Sequence, residues 1–180
     1  AFLEKDMIVI ADPGDALLGS SDLYISDGAH YLACAYYTSL GFAVPASVGV
    51  KAAAPGLRPL VLVGDGAFQM TGMEISTAAR FGMNPIVILF DNDGYGTERP
   101  MLDGGFNDIQ RWNYAELPRL IGNGLGVKVE TEREMAAALT RARANEAGWS
   151  LIQVVLDRDD KSPALQRLTA KLAERVRAKN

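Results

Sequence analysis

Two stretches of the chain carry residue types that could do chemistry together. The first is Gly64-Asp65-Gly66-Ala67-Phe68, which follows the apolar run Leu60 to Val63 and precedes a helical pattern. Glycine-bracketed N–H groups at a helix N-terminus suit an anionic phosphate, and Asp65 sets a hard carboxylate oxygen beside them. A Mg²⁺ ion bridging phosphate and carboxylate would reconcile the two negative groups. A Gly-Asp-Gly alone also makes an ordinary tight turn. The second stretch, Asp91-Asn92-Asp93-Gly94, ends the next apolar run, Pro85 to Phe90, and places Asn92 27 residues after Asp65. One helix and one strand fill that interval, so both tips fall on the same edge of adjacent parallel strands.

The elements that would position these residues alternate along the chain. Strand-like runs lie at Met7 to Ala11, Pro59 to Val63, Pro85 to Phe90, Gly126 to Val129 and Trp149 to Leu156. Continuous β-branched runs of this kind suit a parallel sheet covered on both faces. Phe68 to Phe81 reads as one helix. Thr131 to Asn145 reads as another, with Thr131 and Glu134 as a capping box and Met135, Leu139 and Ala142 on one stripe. Ser162-Pro163 opens a C-terminal helix over 162–180 that carries Leu165, Leu168, Leu172 and Val176 at helical spacing. The pattern predicts one α/β domain over 1–180, a doubly wound, mostly parallel sheet flanked by helices. Asp91 to Asn113 is rich in glycine and acidic residues and has little periodicity, the mark of a functional loop that Trp112 and Tyr114 would anchor.

Composition bounds the partners. With 180 residues, 48% of them hydrophobic and 22% charged, the chain can bury a sizeable core, which excludes disorder and a disulfide-stapled miniprotein. The net charge of −4 leaves no global positive field for a phosphate backbone, so nucleic acid is excluded as a partner. The basic residues gather in Lys161 to Asn180, read as a solvated helix face. No apolar run reaches the ~18 residues of a membrane span, and no basic-then-apolar leader opens the chain, so no membrane partner and a cytoplasmic location are expected. The single Cys34 reads as a buried small hydrophobe, Met70, Met73 and Met83 as core filler, and His30 as a surface or structural histidine.

A Gly-Asp-Gly at a strand end with an Asn at this distance resembles the thiamine diphosphate-dependent enzymes. Within them, Gly94-Tyr95-Gly96-Thr97-Glu98, then Asp103-Gly104-Gly105-Phe106-Asn107-Asp108-Ile109 and Trp112-Asn113-Tyr114, is similar to the pyruvate and indolepyruvate decarboxylase branch. The likeness runs from about Asp12 to the C-terminal helix and covers only the C-terminal, diphosphate-binding domain of that family. It implies that Asp65 and Asn92 bind Mg²⁺ through side-chain oxygens and Gly94 through its carbonyl. It further implies that Gly66 and Ala67 present N–H groups to the diphosphate, with Gly64 and Tyr95 in the same cofactor site. Leu40 would be the wedge that bends thiamine, Thr38 would offer its carbonyl to the aminopyrimidine, and Asp15 would be the contact within Asp12-Pro13-Gly14-Asp15. Glu98 matches the glutamate that acts near the substrate carboxylate and in proton transfer; pairing with Arg99 or solvent is its alternative reading.

Two positions depart from the pattern. Asp91 stands where the family usually has a second asparagine, and Thr97 where many relatives carry Ile or Val, which leaves room for an aromatic or branched 2-keto acid. The glutamate that activates the aminopyrimidine, and a histidine pair, come in this family from an N-terminal pyrimidine-binding domain, on the same chain or as a separate subunit. The resemblance therefore implies half of a thiamine diphosphate- and Mg²⁺-dependent 2-keto acid decarboxylase, a lyase releasing CO₂ and an aldehyde, that works as a dimer or tetramer. A carboligating, acetolactate synthase-like enzyme, a non-catalytic domain of the same fold and a generic nucleotide-binding domain are the alternatives.

Overall fold

The computed structural model describes residues 2–25 and 29–169. Six strands form one sheet: β1 (Met7–Ala11), β2 (His30–Ala33), β3 (Arg58–Gly64), β4 (Ile86–Asp91), β5 (Leu125–Val129) and β6 (Ser150–Val155). Their order is β2-β1-β3-β4-β6-β5, and every pairing between them is parallel. This is the doubly wound α/β sheet that the alternating runs predict.

Strand alternation divides the core in two. Ile8 and Ile10 of β1, Val61 and Val63 of β3, and Val87 and Leu89 of β4 face one side. There they meet α2 (Ala43–Ala53), α3 (Asp65–Thr71), α4 (Ile75–Arg80) and α5 (Leu117–Ile121). Met7, Val9, Leu60, Leu62, Ile86 and Ile88 face the other side, against α1 (Asp15–Ser20) and α6 (Glu132–Ala144). Period-two placement of apolar residues on both faces is why these strands read as unbroken apolar runs. The chain leaves β1 toward β2 on one side and returns to β3 on the other. A crevice therefore opens at the carboxyl ends of β1 and β3.

Several sequence expectations are corrected. The helix expected over Phe68 to Phe81 starts earlier and is broken: α3 ends at Thr71, a 3₁₀ turn follows at Gly72–Glu74, and α4 begins at Ile75. Thr71 leaves helical geometry, with φ −140°, while its hydroxyl donates to the Gly41 carbonyl at 2.5 Å, a tertiary contact that period cannot reveal. Met70 and Met73 point outward, 51% and 44% exposed, whereas Met83 packs on the core as expected. Cys34, just past the edge strand β2, is only half-buried, and His30 lies exposed on that strand. β2, α1, α2 and α5 carry no sequence expectation; they are short, at an edge, or built of small residues with weak periodicity.

Two predicted caps are present. The Thr131 hydroxyl accepts from the Glu134 N–H, and the Glu134 carboxylate accepts from the Thr131 N–H. The Ser162 hydroxyl accepts from the Leu165 N–H at 3.1 Å and opens a helix described over 163–169. Leu172 and Val176 lie outside the described residues. Among the described residues no helix is long and apolar enough to cross a membrane.

Arg58 closes the end of the molecule opposite the crevice. Its guanidinium donates to the Ala142, Arg143 and Asn145 carbonyls at the end of α6 and to the Asn84 carbonyl ahead of β4. Helix C-termini leave such carbonyls without partners, and a planar five-donor fork serves four at once. Arg58→Met is expected to lose about 2 to 4 kcal/mol in urea unfolding, since apart from the Asn145 N–H on the Ala142 carbonyl these half-buried oxygens rely on the guanidinium. A loss under about 0.5 kcal/mol would mean that water replaces the guanidinium there.

Candidate functional site

Three neighbouring strands end at the crevice in three buried aspartates. Asp12 follows β1, Asp65 follows β3 and Asp91 ends β4, none more than 1% exposed. Buried carboxylates require donors, and here most come from the backbone of an adjoining loop. Asp12 accepts from the Gly41 N–H at 2.9 Å and the Ala43 N–H at 2.7 Å, which fixes the segment carrying Thr38 and Leu40. Burial raises the Asp12 pKa, and these backbone bonds oppose the rise.

Asp65 is the junction. Oδ1 accepts from the Gly66 N–H at 2.7 Å, and Oδ2 accepts from the Asn92 N–H at 3.1 Å and the Gly94 N–H at 3.2 Å. One side chain thus ties the start of α3 to the turn after β4. Burial pushes the Asp65 carboxyl up to about 6; the three N–H bonds pull the other way and the nearby Asp91 charge adds to the rise. A raised carboxyl with a lone pair left on Oδ1, beside an amide side chain and a turn carbonyl, is a site that a hard cation would convert to carboxylate. Among the described residues no group of three or more His, Cys, Asp or Glu is placed to hold a metal. A cation here would therefore draw on Asp65, Asn92, the Gly94 carbonyl and oxygens of its own ligand.

The turn after β4 needs its glycine. Gly94 has φ +141°, and a Cβ would strike the Asn107 carbonyl, which accepts from the Tyr95 N–H at 2.9 Å. Close approach decides Gly66 as well, because a Cβ there would lie 2.6 Å from the Tyr95 ring. The only non-glycine residues with positive φ among those described are Thr38 (φ 50°) and Asp93 (φ 62°). Thr38 lines the crevice and Asp93 sits between two residues that do. Left-handed backbone at a β-branched residue is strained and concentrates at functional sites.

Every sequence-predicted site residue converges on one cavity of about 290 Å³: Asp15, Thr38, Leu40, Gly64, Asp65, Gly66, Ala67, Asn92, Gly94, Tyr95 and Glu98 all line it. Two of these residues have polar groups engaged within the chain. The Gly66 N–H points to the Asp65 carboxylate, which leaves Ala67 as the expected diphosphate donor in that turn without such a partner. The Asp15 carboxylate accepts from the Ser162 N–H at 2.8 Å and bonds the Ser162 hydroxyl, so it fastens the C-terminal helix to the cavity rim. Glu98 is exposed, and Arg99 does not pair with it; Arg99 is buried between Asp103 at 2.8 Å and Asp108 at 2.7 Å. Tyr114 is fully buried and accepts from Gln69, so it anchors the 91–113 loop as expected, while Trp112 stays partly exposed beside it.

Sequence reasoning missed Asp12, Thr71, Asp160, Leu165 and Leu168. Asp12 had a signal, an acid directly after a buried strand and ahead of Pro-Gly. The last three reach the cavity from the far end of the chain, and nothing local marks them.

Comparison with known proteins agrees with this geometry. The family model described as thiamine pyrophosphate enzyme, C-terminal TPP binding domain, matches residues 18–154. The chain is 38% identical over 165 residues to an indole-3-pyruvate decarboxylase of Azospirillum brasilense, covering 91% of this chain and 30% of that protein. It is 35% identical over 170 residues to an alpha-keto-acid decarboxylase of Mycobacterium tuberculosis (strain ATCC 25618 / H37Rv), covering 92% and 30%. A Mycobacterium avium (strain 104) protein of the same name is 35% identical over 155 residues, covering 84% and 28%. The chain spans under a third of the length of these curated relatives.

The Asp65 carboxyl makes stability depend on pH. Its native pKa of about 6 lies above its ordinary value of 3.8, so the folded state holds the proton to higher pH than the unfolded chain. Stability from this group is expected to fall as pH rises from about 4 to about 6 and to level off above, with divalent cations removed. Urea unfolding across pH 4 to 7.5 checks it, and Asp65→Ala should lose that part of the slope. Equal slopes in the two proteins would show that Asp65 titrates as an ordinary aspartate.

Proposed function

The chain belongs to the thiamine pyrophosphate enzymes as their C-terminal cofactor-binding domain, and from that premise we propose that it supplies the diphosphate- and Mg²⁺-binding half of a 2-keto acid decarboxylase. The observation that carries this reading is the Asp65 junction, which gathers Asp65, Asn92 and the Gly94 turn at one cavity wall. That donor set is one carboxylate, one amide and one carbonyl, which suits Mg²⁺ completed by two diphosphate oxygens and water. The activities for which the relatives are named, indole-3-pyruvate and alpha-keto-acid decarboxylation, support the reaction class.

When bound, thiamine diphosphate supplies the carbon nucleophile and the electron sink that decarboxylation needs. The protein's part is to hold and to move protons. Ala67 offers its N–H to the diphosphate, and Gly64 and Gly66 let that group approach the strand end. Asp15 contributes its backbone, because its carboxylate is engaged by Ser162 and would repel a phosphate. Leu40, 39% exposed on the cavity wall, would be the wedge that bends thiamine, and the Thr38 carbonyl would be the acceptor for the aminopyrimidine. Tyr95 covers Gly66 and keeps water from the diphosphate.

Glu98 faces the cavity without an ion-pair partner among the described residues and transfers the proton near the substrate carboxylate. Thr97 beside it leaves volume for an aromatic or branched 2-keto acid. The activating glutamate and the histidine pair come from a pyrimidine-binding domain packed over this cavity, in a dimer or tetramer. Docking of that domain would exclude water from Glu98, which is exposed in this domain alone.

In the assembled enzyme, Asp65→Ala is expected to abolish Mg²⁺-dependent cofactor binding, read by calorimetry with thiamine diphosphate at fixed Mg²⁺. Retained affinity would sink the metal assignment. Glu98→Gln is expected to leave cofactor affinity within about twofold while lowering kcat by a factor on the order of 10² or more. Full turnover in that variant would return Glu98 to an ordinary loop residue. Product analysis with a 2-keto acid should give aldehyde; acyloin as main product would favour the carboligating alternative.

A further inference from the structure

We propose that Arg111 is a positioning residue for the metal-binding turn: it offsets the buried carboxylate of Asp91 and so holds Asn92 and Gly94 where a cation can use them. The proposal rests on the reading of Asp65, Asn92 and Gly94 as the Mg²⁺ site.

Asp91 cannot leave its place, because its carbonyl accepts from the Leu156 N–H at 2.9 Å and its backbone is registered against Val155 in the sheet. Its side chain is 99% enclosed, at 1% exposure. Oδ2 accepts from Gln153 Nε2 at 2.7 Å, and Gln153 in turn accepts from the Ala115 N–H at 3.0 Å. Oδ1 is buried without any hydrogen-bond donor. Among the described residues the cation within ion-pair distance of that orphaned oxygen is Arg111, whose Nε lies 3.4 Å from Asp91 Oδ1 and 2.7 Å from Asp93 Oδ1.

Geometry makes this arrangement matter at the turn. Asp91 and Asp93 flank Asn92, and Asp93 holds left-handed backbone immediately before Gly94. Arg111 reaches both acids from the far end of the 91–113 loop, so one guanidinium closes that loop on its own beginning. Removing it leaves a buried charge unpaired beside a second buried carboxylate, Asp65, and such a charge drives local opening until water reaches it. Asp93 is different. Its side chain is 46% exposed, so solvent can screen it without Arg111.

That contrast supplies the test. In the assembled enzyme, Mg²⁺ is titrated at fixed thiamine diphosphate, and cofactor uptake is followed by quenching of tryptophan fluorescence. Arg111→Gln is expected to raise the half-saturating Mg²⁺ concentration by about tenfold or more, the usual scale for groups that orient metal ligands. Adding Asp91→Asn to Arg111→Gln removes the charge that lacked a partner and should return half-saturation to within about threefold of wild type. Arg111→Gln indistinguishable from wild type overturns the proposal. So does a double variant as weak as the single one, since loss without rescue is generic damage to the loop. Wild-type protein whose cofactor uptake does not depend on Mg²⁺, or matches Asp65→Ala, overturns the metal reading itself and the proposal with it, and it does so before any Arg111 variant is compared.

Discussion

A carboxylate buried at the end of a central strand, with its oxygens given to backbone N–H groups of a different loop, is the interaction on which this site depends. Asp65 does this between α3 and the turn after β4, and the Tyr95 ring over Gly66 is the packing contact that accompanies it. The arrangement is held under tension. Burial disfavours the charge while three N–H groups favour it, and the native pKa of about 6 records that burial prevails. A group in that condition is stabilised by whatever brings positive charge to it, so the position that weakens the free domain is the one best prepared for a cation.

The same device recurs on both neighbouring strands. Asp12 sews β1 to the segment before α2, and Asp91 joins β4 to β6 through Gln153 and to the loop end through Arg111. Three parallel strands in consecutive places of the sheet therefore end in acids that accept from the loops around them. A parallel sheet leaves its strand tips without ladder partners at the carboxyl edge, and the crevice at the switch point leaves room for side chains there. Short acids fill that room and fix loops whose sequences have no periodic structure. Thr71 adds to this by interrupting the helix that starts at Asp65 to hold Gly41. The loop carrying Leu40 is thus fastened from two sides.

Much of this was legible in the chain. The five apolar runs gave sheet and class, since a strand buried on both faces is apolar at most positions. The glycines and acids at the ends of the third and fourth strands gave the site, because only a few residue types serve a tight turn beside an anion. Their separation of 27 residues placed both on one edge. The loop residues Asn92 and Gly94 to Glu98, together with Leu40, came from family resemblance, and all of them line the cavity. The fate of individual polar groups was not legible. Asp15 and Asp12 stand three residues apart in one loop, and sequence gives no reason why the first should fasten a distant helix and the second the adjoining loop.

Sequence by itself determined five of the six strands, the capped helices and which edge of the sheet bears chemistry, because apolar periodicity, turn residues and strand order act locally or through simple topology. Tertiary structure alone decided which carboxylate meets which N–H. It broke the expected helix at Thr71, turned Met70 and Met73 outward, and brought Leu165 and Leu168 to a cavity built about a hundred residues earlier. It also set Arg111 against Asp91. Those outcomes depend on distances of a few tenths of an ångström between segments far apart in the chain, where burial raises the energy of any unpaired polar group and so selects one set of partners.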